Sequence, residues 1–156
     1  MAINRGRFTA QHDADVTVFL IGMRINRLHR VDQWGPVMAA MPPMLRHLAR
    51  RPEEGMLGYH LWLGRTTMLV SYWRDAEALM RFAADSEAPH LKPWRDFRRM
   101  AESGAVGIWH ETYVVQPSQR ECVYVNMPDF GLGAATSTVP VGDGLRTARQ
   151  RLATDG

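Results

Sequence analysis

Residues 106–132 read VGIWHETYVVQPSQRECVYVNMPDFGL and carry the most informative pattern in the chain. Apolar, β-branched and aromatic residues dominate 107–115 and recur over 121–125, so each run is predicted to form a strand. The short loop at Pro117 separates the two strands, and a glycine closes the turn after the second. The polar residues His110 and Glu111 interrupt the first strand, which is typical of a functional site rather than of a plain core strand.

Upstream of this stretch, strands alternate with helices. Residues 16–25 (VTVFLIGMRI) are apolar and predict a buried strand, and residues 57–63 and 67–73 predict a hairpin around Gly64 and Arg65. Apolar residues at three- and four-residue spacing predict a helix over 33–51, which Pro42 and Pro43 are expected to break or kink. Asp75 is predicted to cap a second helix. The same spacing recurs over 91–101 and predicts a further helical piece.

Strand, helix, strand, strand, helix, strand is the order of the ferredoxin-like split βαβ unit, so the predicted fold class is α+β. The two helices cover one face of the sheet, while the other face still carries apolar residues. We therefore expect a homodimer in which two sheets meet face to face as a dimeric α+β barrel. A cavity between each sheet and its own helices is the expected place for a small-molecule substrate.

The length of 156 residues suits one domain. We assign residues 1–133 to the ferredoxin-like α+β barrel domain. Residues 134–156 are rich in small and polar residues, with several Gly and Pro, and predict a flexible or partner-dependent C-terminal tail.

Composition excludes several function classes. The net charge is only +3 and the arginines are spread from Arg5 to Arg151, so we expect no nucleic-acid partner. Cys122 is the single cysteine, which excludes an intrachain disulfide and a cysteine-based zinc site. No basic-then-apolar leader and no run of about 18 apolar residues occurs, so a cytoplasmic protein without a membrane partner is expected. Phosphate-binding loops, a GxSxG elbow and HExxH are absent from the sequence as well.

His110 and Glu111 are candidate catalytic residues. Neighbours on a strand point to opposite faces, so only one of them can line the cavity, and the sequence leaves open which. Arg24 is unusual within an apolar strand, and we expect it to pair with a buried Glu111. His110 then faces either the cavity or the dimer seam. The alternative is that both residues form a structural pair at the dimer interface.

The remaining candidates are polar, aromatic or methionine side chains at positions that suit a ligand pocket. His90 opens the helix over 91–101 and is a third candidate catalytic residue. Lone strand histidines, core methionines and core aromatics are more often structural, so each candidate has a packing role as its alternative. The predicted substrate-binding residues are His60, Trp62, Tyr72, Met38, Met41, Trp94 and Arg24.

Two segments carry a family resemblance. SYWRDAEALMRFAADSEAPHLKPWRDF (71–97) resembles the dimeric α+β barrel proteins of the antibiotic-biosynthesis monooxygenase type. GAVGIWHETYVV (104–115) and YVNMPDFGL (124–132) resemble, more narrowly, a small family named for a monooxygenase of fumagillin-type biosynthesis. The resemblance covers residues 16–132. It implies a dimeric ferredoxin-like barrel and a monooxygenase that acts on a small apolar organic substrate of secondary metabolism, without naming that substrate.

The wider superfamily also includes haem-degrading monooxygenases and aldoxime dehydratases. In the small haem-degrading members a histidine follows a Trp-ended strand, and Trp73 and His90 match that arrangement here. The resemblance therefore implies His90 as an axial ligand if haem b is bound, and no metal ligand otherwise. Three functions stay open: an oxygenase that requires no cofactor, a haem-dependent enzyme or haem-binding protein, and a non-catalytic ligand-binding module.

Overall fold

The computed structural model describes residues 2–85 and 102–152. After a first strand that was not predicted, its longer elements follow the predicted order of strands and helices. They are β1 (Asn4–Gln11), β2 (Val16–Ile25), α1 (Val31–Ala49), β3 (Met56–Trp62), β4 (Met68–Trp73), α2 (Ala76–Ala84) and β5 (Val106–Val115). After a 3₁₀ turn at Pro117–Gln119 come β6 (Tyr124–Met127), α3 (Gly131–Ala135), β7 (Ser137–Pro140) and α4 (Ala148–Leu152).

The main sheet has the order β3-β4-β2-β5 and is antiparallel throughout. Together with α1 and α2 this is the ferredoxin-like split βαβ arrangement, so the predicted α+β fold class is confirmed. Asp75 caps α2, since its carboxylate accepts a hydrogen bond of 2.6 Å from the backbone N–H of Ala78. The predicted break in the first helix is wrong, because α1 runs through Pro42 and Pro43 without interruption. The predicted helix over 91–101 lies outside the described residues.

A second sheet was not predicted. It has three antiparallel strands in the order β6-β1-β7, with β1 in the centre. The sequence of β1, NRGRFTAQ, is mostly polar and therefore shows little strand periodicity. The segment assigned to the C-terminal tail contributes β7 and α4. The strand predicted over 121–125 lies later in the chain, at Tyr124–Met127.

Side chains alternate along each strand, and the register between strands shows which of them share a face of the main sheet. The face that carries Phe19 and Met23 packs against α1 and α2, and we call it the helix face. It holds two clusters of buried apolar side chains. One is built on Trp73 and Phe82, the other on Met23 and Val106. These clusters fix both helices on the sheet because apolar burial is the main stabilising term.

The opposite face carries Leu20 and Tyr72, and the chain covers only part of it. Helix α3 packs against β3 so closely that a Cβ added to Gly58 would lie 2.9 Å from the Cβ of Ala135. Toward β5 the opposite face is open, and Tyr113 is 50% exposed there. Within the described part of the chain, no helix has the length and apolar character needed to cross a membrane.

Candidate functional site

His110 lies on the helix face of β5. Its cross-strand neighbour is Ile21, and its ring centroid is 5.9 Å from that of Phe19. Phe19 in turn packs against the cluster built on Trp73 and Phe82. The imidazole is exposed while its neighbours are apolar, so His110 stands at the border of the apolar layer between sheet and helices.

A second histidine, His47, reaches the same layer from α1. Its ring centroid is 6.4 Å from that of Phe82, and its Nε2 atom is buried without a hydrogen-bond partner in the described part of the structure. A buried polar atom without a partner is costly and marks a position where a ligand or water can bind. His47 was not among the site residues predicted from the sequence. It lies outside the predicted apolar stripe of the helix, and the available signal was its position three residues after Met44, which packs against the cluster of Trp73 and Phe82.

Hydroxyl groups complete the polar content of this layer. Thr17 is fully buried, pairs across the strand with Trp73, and has no hydrogen-bond partner for its Oγ1 among the described residues. Ser71 accepts a hydrogen bond of 3.0 Å from Trp73 Nε1 and donates to the carbonyl oxygen of Phe19 at 3.2 Å. The layer between the helix face and the helices therefore combines apolar side chains with two imidazoles and a buried hydroxyl that has no partner among the described residues.

Glu111 lies on the opposite face and is exposed. Its carboxylate accepts a hydrogen bond of 2.7 Å from the hydroxyl of Tyr113, and this interaction raises the pKa of that phenol. Arg24 is also exposed and donates to Thr66 Oγ1 at 2.8 Å. The expected buried pair of Glu111 and Arg24 is wrong. Register explains why, since Glu111 lies beside Leu20, four residues along β2 from Arg24.

His60 also lies on the opposite face, beneath α3. Its Nε2 accepts a hydrogen bond of 2.8 Å from the backbone N–H of Gly131, and its ring stacks on Phe130 with centroids 4.1 Å apart. Burial lowers the pKa of His60. Trp62 meets the edge of the same Phe130 ring, and Tyr72 has its pKa raised by burial. His60, Trp62 and Tyr72 were predicted to bind substrate. They instead join the main sheet to the segment around α3, and they lie on the face opposite to that of His110.

The segment YVNMPDFGL (124–132), part of the narrower resemblance, also makes hydrogen bonds that hold neighbouring elements together. The hydroxyl of Tyr124 accepts a hydrogen bond of 3.0 Å from the N–H of Gly133, and burial raises its pKa. Asn126, at a positive φ of 52°, accepts from the N–H of Gly6. Asp129 accepts from the Asn4 amide at 2.8 Å. The segment thus holds α3 and β1 in place.

The other predicted residues are divided between the helix face and the part of the chain outside the described residues. Met38 packs against the cluster of Met23 and Val106, and Met41 is half-buried on α1. His90 and Trp94 lie outside the described residues. No group of three or more His, Cys, Asp or Glu side chains that could hold a metal ion occurs within 2–85 and 102–152.

Fold and site together define a ferredoxin-like α+β protein with an apolar, histidine-bordered layer between its sheet and helices. The chain belongs to the monooxygenase af470-like family, which it matches over residues 16–132. It is 30% identical over 152 residues to monooxygenase af470 of Aspergillus fumigatus, an alignment that covers 83% of this chain and 54% of that protein. The chain thus spans about half the length of this curated relative.

Two solved structures are similar to this chain. An aldoxime dehydratase crystallised with butyraldoxime superposes with a TM-score of 0.67 at 14% identity, over 85% of this chain and 39% of that one. SnoaB, a cofactor-independent oxygenase from Streptomyces nogalater, gives a TM-score of 0.47 at 16% identity, over 66% of this chain and 95% of that one. At 14% identity the likeness to the aldoxime dehydratase concerns the fold alone.

Proposed function

We propose that the protein is a monooxygenase-type oxidoreductase that acts on a small apolar organic molecule held against the helix face. Family membership supports the reaction class. The position of His110 supports this location for the site. Of the predicted catalytic residues within the described ranges, His110 is the one on the helix face, where its ring lies against Phe19. Glu111 lies on the other face and is not assigned to the reaction.

The chemistry follows from a base beside an apolar surface. His110 removes a proton from a carbon acid, and the carbanion transfers an electron to dioxygen. The two radicals combine to a peroxide, which loses water to leave a carbonyl group. Overall, a CH₂ group and O₂ give C=O and H₂O, so the electrons come from the substrate. His47, whose Nε2 has no hydrogen-bond partner among the described residues, would then hold a polar group of the substrate.

Anthrone is a suitable probe because it is apolar and its CH₂ group is acidified by the neighbouring carbonyl and rings. We expect oxygen uptake with one anthraquinone formed per O₂, and loss of uptake in His110→Ala with an unchanged melting temperature. His29→Ala, at an exposed histidine, is the control and should behave as the unsubstituted protein. Absence of uptake with anthrone, or full uptake in His110→Ala, contradicts the proposal.

A haem-dependent reaction is the second candidate, supported by the aldoxime dehydratase fold. It depends on His90, the implied axial ligand, which lies outside the described residues. An absorbance scan from 350 to 700 nm on purified protein decides between the two. A Soret band that disappears in His90→Ala assigns haem b, whereas a featureless spectrum with oxygen uptake supports the reaction without a cofactor. Binding of anthrone without turnover points to a ligand-binding module.

We also propose a homodimer formed through the open half of the opposite face. Val18 and Leu20 are only half-buried there. Arg24 and Glu111 are exposed on this same face with opposite charges, and a two-fold axis brings each beside the other residue of the partner copy. A monomer by light scattering at micromolar concentration contradicts this arrangement. The association with the fumagillin pathway and a role in secondary metabolism stay predictions.

A further inference from the structure

A cavity of about 280 Å³ lies away from the helix face. Its walls come from the end of β1 and the following loop, residues 117–122, α3, β7 and the C-terminal segment. The three-stranded sheet and the C-terminal segment therefore build a space of their own. An apolar cavity of about 150 Å³ holds a benzene molecule, so a single ring with a substituent fits here.

Three of the four charged groups of this cavity already have partners in the protein, and the fourth, Asp13, is exposed. Arg151 is 8% exposed and donates to Glu121 at 2.6 Å and to the carbonyl oxygen of Leu145 at 2.8 Å. Arg120 donates to the carbonyl oxygens of Ala14 and His12. The lining holds two arginines and two carboxylates, Asp13 and Glu121. Its charge is balanced, and a charged ligand would lose its hydration without gaining a counter-ion.

Besides the side chains of Gln11 and His12, the remaining lining offers an apolar wall and a hydroxyl group. Leu132, Val139 and Leu145 supply the apolar part. Thr9 is buried, and its hydroxyl donates only a long hydrogen bond of 3.5 Å to the carbonyl oxygen of Ala10. That hydroxyl is therefore available to a ligand, whereas the guanidinium groups are engaged in the protein's own hydrogen bonds.

We propose that this cavity is a second ligand site, which binds a small uncharged molecule of single-ring size carrying one hydroxyl or carbonyl group. The apolar wall accommodates the ring and Thr9 binds the polar group. Because the walls include the C-terminal segment, the ligand also stabilises the docking of that segment. This site is independent of the reaction proposed for the helix face.

Three probes of nearly equal size test the proposal: benzyl alcohol, benzoate and benzylammonium. We expect benzyl alcohol to shift the methyl NMR signals of Val139 and Leu132 saturably. It should also slow the alkylation by iodoacetamide of Cys122, which is one of the lining residues. The two ions should bind ~10-fold more weakly or worse, because burial of an uncompensated charge opposes them.

Val139→Phe fills the cavity and should abolish both the shift of the Leu132 methyl signals and the protection of Cys122. Val125→Phe, on the exposed strand β6 of the same sheet, is the matched control and should retain them. Leu145→Phe replaces Val139→Phe if that variant does not fold. The proposal is overturned if no probe shifts the signals, which leaves water as the only occupant, if an ion binds more tightly than the alcohol, or if the filled variant binds unchanged.

Discussion

The backbone N–H of Gly131 donates a hydrogen bond of 2.8 Å to Nε2 of His60, 71 residues earlier in the chain. The bond joins α3 to β3 and requires a neutral imidazole, because only an unprotonated nitrogen accepts a hydrogen bond. The stacked ring of Phe130 shields the same imidazole. The contact is therefore both a structural link between the two sheets and a proton-sensitive one.

His60 should make stability depend on pH. Burial lowers its folded-state pKa below 6.5, so the unfolded chain binds the proton more readily. Its contribution is present above pH ~6.5 and is lost as the pH falls through the folded-state value. Urea unfolding at pH 8 and at pH 5 should show a steeper loss for the unsubstituted protein than for His60→Gln, whose amide oxygen still accepts the bond. Parallel pH profiles would contradict this account.

Gly22 should tolerate no side chain. An added Cβ would lie 2.0 Å from the carbonyl oxygen of Thr67 and 2.7 Å from Trp109 Nε1. Gly22→Ala must therefore push β2 away from this contact, and we expect a loss of about 3 kcal/mol or more in the free energy of unfolding. Gly35→Ala in α1 is the control, where the nearest atom is 3.8 Å away. That change should stabilise the helix by about 0.5–1 kcal/mol.

His47 should show a conflict between stability and activity. Its Nε2 is buried without a partner in the described structure, so an apolar side chain of similar size removes a destabilising feature. We expect His47→Leu to raise the free energy of unfolding by about 1 kcal/mol and to reduce oxygen uptake with anthrone. A variant that is destabilised yet fully active would assign His47 a packing role only.

Arg24 and Glu111 should decide the dimer. Arg24→Glu and Glu111→Arg each place like charges opposite one another at the proposed two-fold seam, so each should shift the protein toward monomer. The double variant restores opposite charges and should restore the dimer. Light scattering at low and at high salt measures both effects, since salt screens exposed charges. Single variants that remain dimeric at low protein concentration would exclude this seam.

Arg151 should anchor the C-terminal segment. Its side chain is 6% exposed and pairs with Glu121, so Arg151→Ala leaves a carboxylate without its counter-ion. Breaking a buried pair costs about 3–5 kcal/mol, and we expect residues 141–152 to exchange amide hydrogens much faster. Arg149→Ala, at an exposed position of the same helix, is the control. Equal exchange in both variants would show that other contacts hold the segment.

The amino-acid sequence by itself determined the order of strands and helices in the main sheet. Apolar periodicity is a local property, so β2, β4, β5 and the helices α1 and α2 could be predicted from neighbouring residues alone. It also predicted that His110 and Glu111 point to opposite faces, because side chains alternate along any strand. The family followed from the segments over 71–97 and 104–132.

Only the tertiary structure decided which face each residue meets. Glu111 lies far from Arg24 because register sets it beside Leu20. His60 binds α3 because the backbone N–H of Gly131, 71 residues later in the chain, donates a hydrogen bond to its ring. The strand β1 has a mostly polar sequence that does not itself favour a strand. It forms because β6 and β7 pair with its backbone on both sides. Such contacts join residues distant in sequence, and their energies depend on burial and partners that no local pattern contains.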